Sequence, residues 1–283
     1  MDTLTYEGFV NVIKGTVIKS LGEEYRDWHV MERDVYKINE KLHALYVMPP
    51  GNPEKNAAAN IYLEEFYDEY EKGRSIYRIL DEICDRIRSA PENRAMIDFA
   101  DNEVMRRQVI PILINAEINE EYLKELPHRR VLDLAIVYRS VLRMENNTHL
   151  GAMVTWDILE NWGMSFDALE KLAMSNLEKK AGIKMIEMHY IKAVTNQWML
   201  YGAYNGLCRK EILKDISAEL GSDVYIVPSS IHEAFFVSAN EFYLSELRKT
   251  AEVACAAGIL EDTDFLSKNI YVYSREKDSV EIA

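Results

Sequence analysis

The C-terminal third of the chain repeats one pattern, and that pattern limits the possible folds more than any other feature of the sequence. Tyr190–Thr195 and Met199–Ala203 are β-prone runs, and an amphipathic stripe through Ile212, Ile216 and Leu220 follows them. Val224–Val227 and Glu233–Val237 are again β-prone, and a helical stretch near Glu241–Ala257 follows in turn. Two paired strands and then a helix, twice over, predict an antiparallel sheet with helices packed on it. Gly221 is placed to end the first of these helices, and Ile270–Tyr273 reads as a last strand before a polar tail. The expected class is α+β, helix-rich, with an antiparallel sheet of paired strands.

The N-terminal third has a different rhythm. Tyr6, Phe9, Val10, Ile13, Val17 and Leu21 recur at three- and four-residue steps, which makes one apolar face of a helix closed by Gly22. Two strand-like runs, Trp28–Tyr36 and Leu42–Met48, flank Asn39-Glu40 and predict a hairpin. Pro49-Pro50-Gly51-Asn52-Pro53 then interrupts the chain as a loop. An aromatic and acidic helix, Tyr62–Glu71, ends at Gly73. A second helix starts after Ser75, with a stripe of Ile76, Ile79, Leu80, Ile83 and Ile87, and Pro91 marks its expected far end. The aromatic stripe of the first of these helices reads as core and its acids as a solvated face; the alternative is a partner-binding surface.

The middle mixes both periods. Asn102–Asn115 looks helical, with Pro111 kinking or ending it. Val131–Leu142 reads as a buried strand, Glu145-Asn146-Asn147 as a turn and His149–Thr155 as the returning strand. Short helices at Trp156–Trp162, closed by Gly163, and at Phe166–Leu177, capped by Ser165, complete the segment. The best boundary falls near Ser89–Asn102. It divides a helix–hairpin–helix subdomain, 1–95, from an α+β domain, 96–283, and its lack of Gly/Ser character allows the two to pack as one unit.

Composition removes function classes without naming one. Asp and Glu total 47 against 33 Lys and Arg, a formal net charge of -14, so sequence-independent binding of nucleic acid is not expected. The three cysteines, Cys84, Cys208 and Cys255, are widely spaced and predict neither a disulfide framework nor a cysteine zinc site. No apolar stretch approaches the roughly 20 residues of a membrane helix, and no secretory leader is evident, so the expected setting is cytoplasmic. No GxGxxG, P-loop or kinase loop set occurs, and no cofactor is expected.

Two polar clusters stand out. Pro228-Ser229-Ser230-Ile231-His232-Glu233 holds hydroxyls, an imidazole and a carboxylate at the turn of a predicted hairpin. Ser229 or Ser230 would be the nucleophile, with His232 as base and Glu233 beside it. Ser230 and His232 are two residues apart on one chain, whereas working triads gather partners from distant segments. A turn whose hydroxyls bond backbone groups accounts for the same residues. His232-Glu233 opens a metalloprotease pattern that fails at Phe236. The second cluster is His128, Arg129 and Arg130 with Asp133. It offers either an anion-binding pocket, with His128, Arg129 and Asp133 as binding residues, or an ion pair at a sheet end between Asp133 and Arg129 or Arg130. No metal site is expected, because six histidines lack ligand spacing.

Three segments carry a resemblance: Ile61–Tyr67 followed by Gly73; Pro127-His128-Arg129 with Leu132–Tyr138; and Gly221–Glu233. In this order they resemble an uncharacterised bacterial family, a domain of unknown function found in anaerobic gut bacteria and their mobile elements. The chain departs from that family's pattern at Lys192–Asn196 and in a short stretch after Leu177, where relatives carry a longer acidic insertion. The resemblance implies an intracellular bacterial setting and brings no activity, substrate or cofactor. The leading expectation is a non-enzymatic protein-interaction or regulatory protein with a protein partner. A hydrolase or transferase using Ser229, Ser230, His232, His128 and Arg129 is the first alternative, and an acidic mimic of nucleic acid is the second.

Overall fold

A computed structural model of the chain describes residues 3–50, 59–94, 102–143, 149–179, 183–188, 191–196, 202–228, 230–256 and 262–283. The chain divides into two compact units, Met1–Asp98 and Phe99–Ala283.

In the first unit, helix α1 spans Tyr6–Leu21 and buries Phe9, Val10, Ile13, Val17 and Leu21, the stripe its spacing predicts. Thr5 caps its start, its hydroxyl accepting from the Gly8 N–H at 3.2 Å. Strands β1 (His29–Lys37) and β2 (Glu40–Met48) form the predicted hairpin, with Lys37 opposite Glu40. The turn is Ile38-Asn39, one residue earlier than expected, because Asn39 tolerates the left-handed φ of 61° that the tight connection needs. A short strand β3 (Ala59–Tyr62) pairs antiparallel with β2 and precedes α2 (Leu63–Glu71). Helix α3 (Ile76–Arg94) runs past Pro91, which the sequence suggested as its limit. Leu45, Val47 and Ile61 on one face of this sheet share a single core with Phe9, Ile13, Leu63, Phe66, Ile79 and Ile83 of the three helices. Tyr67 and Tyr70 lie 5.5 and 5.4 Å from the Phe9 ring, so the aromatic stripe of α2 is core. The loop expected at 49–53 lies largely outside the described residues.

In the second unit, α4 (Asn102–Gln108) stops seven residues short of the predicted helix end. β4 (Val109–Asn115) follows as a strand with every residue buried. A strand buried on both faces loses its alternation, so its period cannot be read from sequence. Pro111 is tolerated because β4, among the described residues, is an edge strand paired with β6. After the one-turn helix α5 (Glu120–Leu123), β5 (Arg129–Val131), β6 (Leu134–Arg143) and β7 (His149–Met153) complete this sheet. β6 pairs with β4 along one edge and with β5 and β7 along the other. The expected turn at 145–147 lies outside the described residues. Helices α6 (Trp156–Asn161) and α7 (Phe166–Lys179) start at Thr155 and Ser165, whose hydroxyls accept from Ile158 N–H and Ala168 N–H.

Strands β8 (Ile183–Met188) and β9 (Ile191–Asn196) pair with each other, and β9 pairs onward with β11. This corrects the expected pairing of 190–195 with 199–203. Gly202–Cys208 is helix α8, while 199–201 lies outside the described residues. Helix α9 (Lys210–Leu220) ends at Gly221, whose left-handed φ of 70° suits glycine. Strands β10 (Val224–Pro228) and β11 (Ala234–Ser238) form the predicted hairpin, and α10 spans Leu244–Ala256. The polar tail after β12 (Tyr271–Ser274) is a strand, β13 (Ser279–Ile282). The second sheet therefore runs β13-β12-β10-β11-β9-β8, antiparallel throughout. Its helices and the pairing pattern make the protein α+β. Among the described residues, no helix is long and apolar enough to cross a membrane.

Candidate functional site

The connection between β10 and β11 carries the first sequence cluster. Ser229 lies outside the described residues. Ser230 is buried, and its hydroxyl accepts from the backbone N–H of His232 at 3.0 Å. The Ser230 N–H reaches back to the Glu233 carbonyl at 3.4 Å. These bonds make a tight turn, in which serine supplies the acceptor that the reversing backbone lacks. The His232 ring points elsewhere. Its Nε2 lies 3.3 Å from Asp264 Oδ1, and its Nδ1 is buried without a hydrogen-bond partner among the described residues. The backbone repeats the link, because Ile231 N–H donates to the Asp264 carbonyl at 2.9 Å.

The second cluster comes apart into three arrangements. His128 Nδ1 bonds the Leu126 carbonyl at 2.8 Å, a local contact. Arg129, first residue of β5, forks onto Glu170 of α7, with Nε to Oε1 at 2.8 Å and Nη2 to Oε2 at 2.7 Å. Tyr138 of β6 donates to the same Glu170 Oε1 at 3.1 Å. Arg129 and Tyr138 hold the Glu170 carboxyl below its ordinary value, the Arg129 bonds being the larger cause. The guanidinium also lies 5.6 Å from the Phe166 ring, and Phe166 lies 6.1 Å from the exposed Trp156. Beside this stack, Glu170, Met174, Glu178 and Tyr204 line a shallow groove along α7.

Asp133 pairs with neither Arg129 nor Arg130, which corrects the ion pair expected at the sheet end. It sits in the β5–β6 turn, next to Leu132 with its left-handed φ of 57°. Its Oδ1 accepts from Tyr271 at 2.8 Å, and its Oδ2 accepts from Ser267 at 2.7 Å and Asn269 at 3.0 Å. Burial, reinforced by the bond to Asp133, pushes the Tyr271 hydroxyl far above its ordinary value. Asn115, at the end of β4, adds a bond from its amide to the Leu266 carbonyl at 3.0 Å.

The His232 turn of the first cluster and Asp133 of the second are thus joined by a third segment. Residues 264–271 hold the His232 turn through Asp264 and the Asp133 turn through Ser267, Asn269 and Tyr271. Sequence reading passed over this segment, and its signal was weak: Ser-Lys-Asn after Leu266 is a common turn composition. Glu170 was missed because its partner lies 41 residues away on another element.

Among the described residues, neither Cys84 nor Cys208 is an activated thiol. Burial raises the Cys84 thiol, and desolvation takes Cys208 to about 12. Among the described residues, no group of three or more His, Cys, Asp or Glu is set to hold a metal ion.

Residues 6–194 and 189–275 match the model of a family of unknown function, DUF5688. The chain belongs to that family. The resemblance read from its three segments therefore holds at the level of an uncharacterised domain family. No curated protein matches the chain, and no solved structure does.

Proposed function

We propose that this protein is a cytoplasmic bacterial protein that works by binding a protein partner, in a regulatory role, and not by catalysis. One observation carries the reading. The Ser230 hydroxyl accepts from the backbone N–H of His232, and among the described residues no hydrogen bond joins it to the imidazole, whose Nδ1 is unpartnered and whose Nε2 lies beside Asp264. A nucleophile needs its base within hydrogen-bond reach, typically 2.6–3.2 Å. Asp133 and Arg129 support the same reading, since their partners are side chains of the fold.

A second reading rests on the His232–Asp264 pair. A carboxylate beside one ring nitrogen is how a general base is oriented, and the opposite nitrogen, Nδ1, is the unpartnered one. Treatment with a fluorophosphonate probe separates the two readings. The binding reading expects no covalent labelling of Ser230 in the folded protein. Labelling of Ser230 that disappears in His232→Gln overturns it in favour of a hydrolase.

A further inference from the structure

The sheet of the first unit has two unlike faces. One packs against α1, α2 and α3 through Leu45, Val47 and Ile61. On the other, register sets Met31 opposite Tyr46, Arg33 opposite Ala44 and Val35 opposite Leu42, with Lys37 at the end of the same row. Met31 is 54% exposed, Arg33 and Lys37 are exposed, and Tyr46 is half-buried. Burial raises the Tyr46 hydroxyl while the Arg33 charge opposes that rise, which agrees with their neighbouring positions. Arg33 has no ion pair or hydrogen bond among the described residues. Lys37 Nζ lies 3.9 Å from the centre of the Tyr62 ring. Of the residues in register on this face of the hairpin, only Glu40 is acidic, in a chain whose net charge is -14. Among the described residues, β1 is also an edge strand of nine residues, paired with β2.

We propose that this face and the β1 edge dock an extended, acidic segment of a protein partner, with carboxylates on Arg33 and Lys37 and apolar side chains on Met31, Val35 and Tyr46. The proposal rests on the partner-binding reading and names its surface. Charge complementarity selects an acidic occupant, because a local cationic strip on an acidic protein attracts an anion that touches the strip alone. The β1 edge, which pairs with no further strand among the described residues, selects a peptide, whose backbone supplies matching donors and acceptors. A single-stranded nucleic acid fits less well. Its phosphates would face the charge of the whole chain, and Lys37 already occupies the Tyr62 ring that a base would stack on.

The test is fluorescence anisotropy with the full chain and a labelled peptide of repeating Val-Ser-Glu-Ser, which in extended form presents Val and Glu in turn on one face. Arg33→Glu with Lys37→Glu is compared with Arg78→Glu, an exposed cation of α3. The double variant is expected to weaken binding by about tenfold or more, and Arg78→Glu by about twofold or less. Met31→Asp, at an exposed position, is a second variant expected to weaken binding if the double variant folds poorly. No binding by the native chain, equal loss with Arg78→Glu, or tighter binding of oligothymidylate than of the peptide overturns the proposal. If the double variant captures the same stoichiometric partner from native lysate as the native chain, this face is excluded while the partner-binding reading stands. If neither captures one, both fall.

Discussion

Both carboxylate oxygens of Asp133 are engaged, by Tyr271, Ser267 and Asn269, each more than 130 residues along the chain. Replacing it by alanine leaves three donors without their acceptor. Asp133→Ala is expected to destabilise the protein by about 2 kcal/mol, read as a lowered midpoint in urea unfolding; a change below about 0.5 kcal/mol would contradict the structural role. The Arg129–Glu170 pair carries a pH signature. Because the folded Glu170 carboxyl lies below its ordinary value of 4.5, its stabilising effect is present above that value and is lost as pH falls through the folded one. Glu170→Gln is therefore expected to flatten the acid side of the stability–pH curve below about pH 4.5, measured by thermal melting. Residue identity pointed to Arg129 and Asp133 as bonded groups, but sequence cannot name partners set by long-range packing. Hence Asp133 was paired with its neighbouring arginines on paper and with Tyr271 in the fold.

Elements that bury one face and expose the other were legible. α1, the β1–β2 hairpin, α9 and the β10–β11 hairpin follow from spacing and from the turn residues that close them. Elements without that contrast were not. β4 is buried on both sides and read as helix, while β13 is short, polar and at a sheet edge and read as a tail. Gly221 tests one of the legible signals. Its positive φ admits glycine freely, so Gly221→Ala is expected to cost about 1–2 kcal/mol in chemical denaturation. An unchanged midpoint would mean that the helix end does not depend on that conformation.

At the scale of the molecule, the first unit has a core of its own, built from three helices and one sheet face. We expect a fragment spanning Met1–Asp98 to unfold in a single cooperative transition in urea, and a gradual, non-cooperative loss of helix would contradict its independence. The second unit ties the His232 turn and Asp133 to the 264–271 segment, while Arg129 is held on α7 by Glu170. The uneven charge matters more than its sum. An acidic chain keeps two exposed cations, Arg33 and Lys37, in one row of a sheet face, where the composition alone gave no sign of them.

Partner binding in place of catalysis is tested most directly by quantitative capture from native lysate. With the full chain immobilised and bound proteins counted by mass spectrometry, one partner is expected in near-equal amount to the chain. Ser230→Ala should hold it as well as the native protein does. Failure of the native chain to retain any stoichiometric partner would contradict the account.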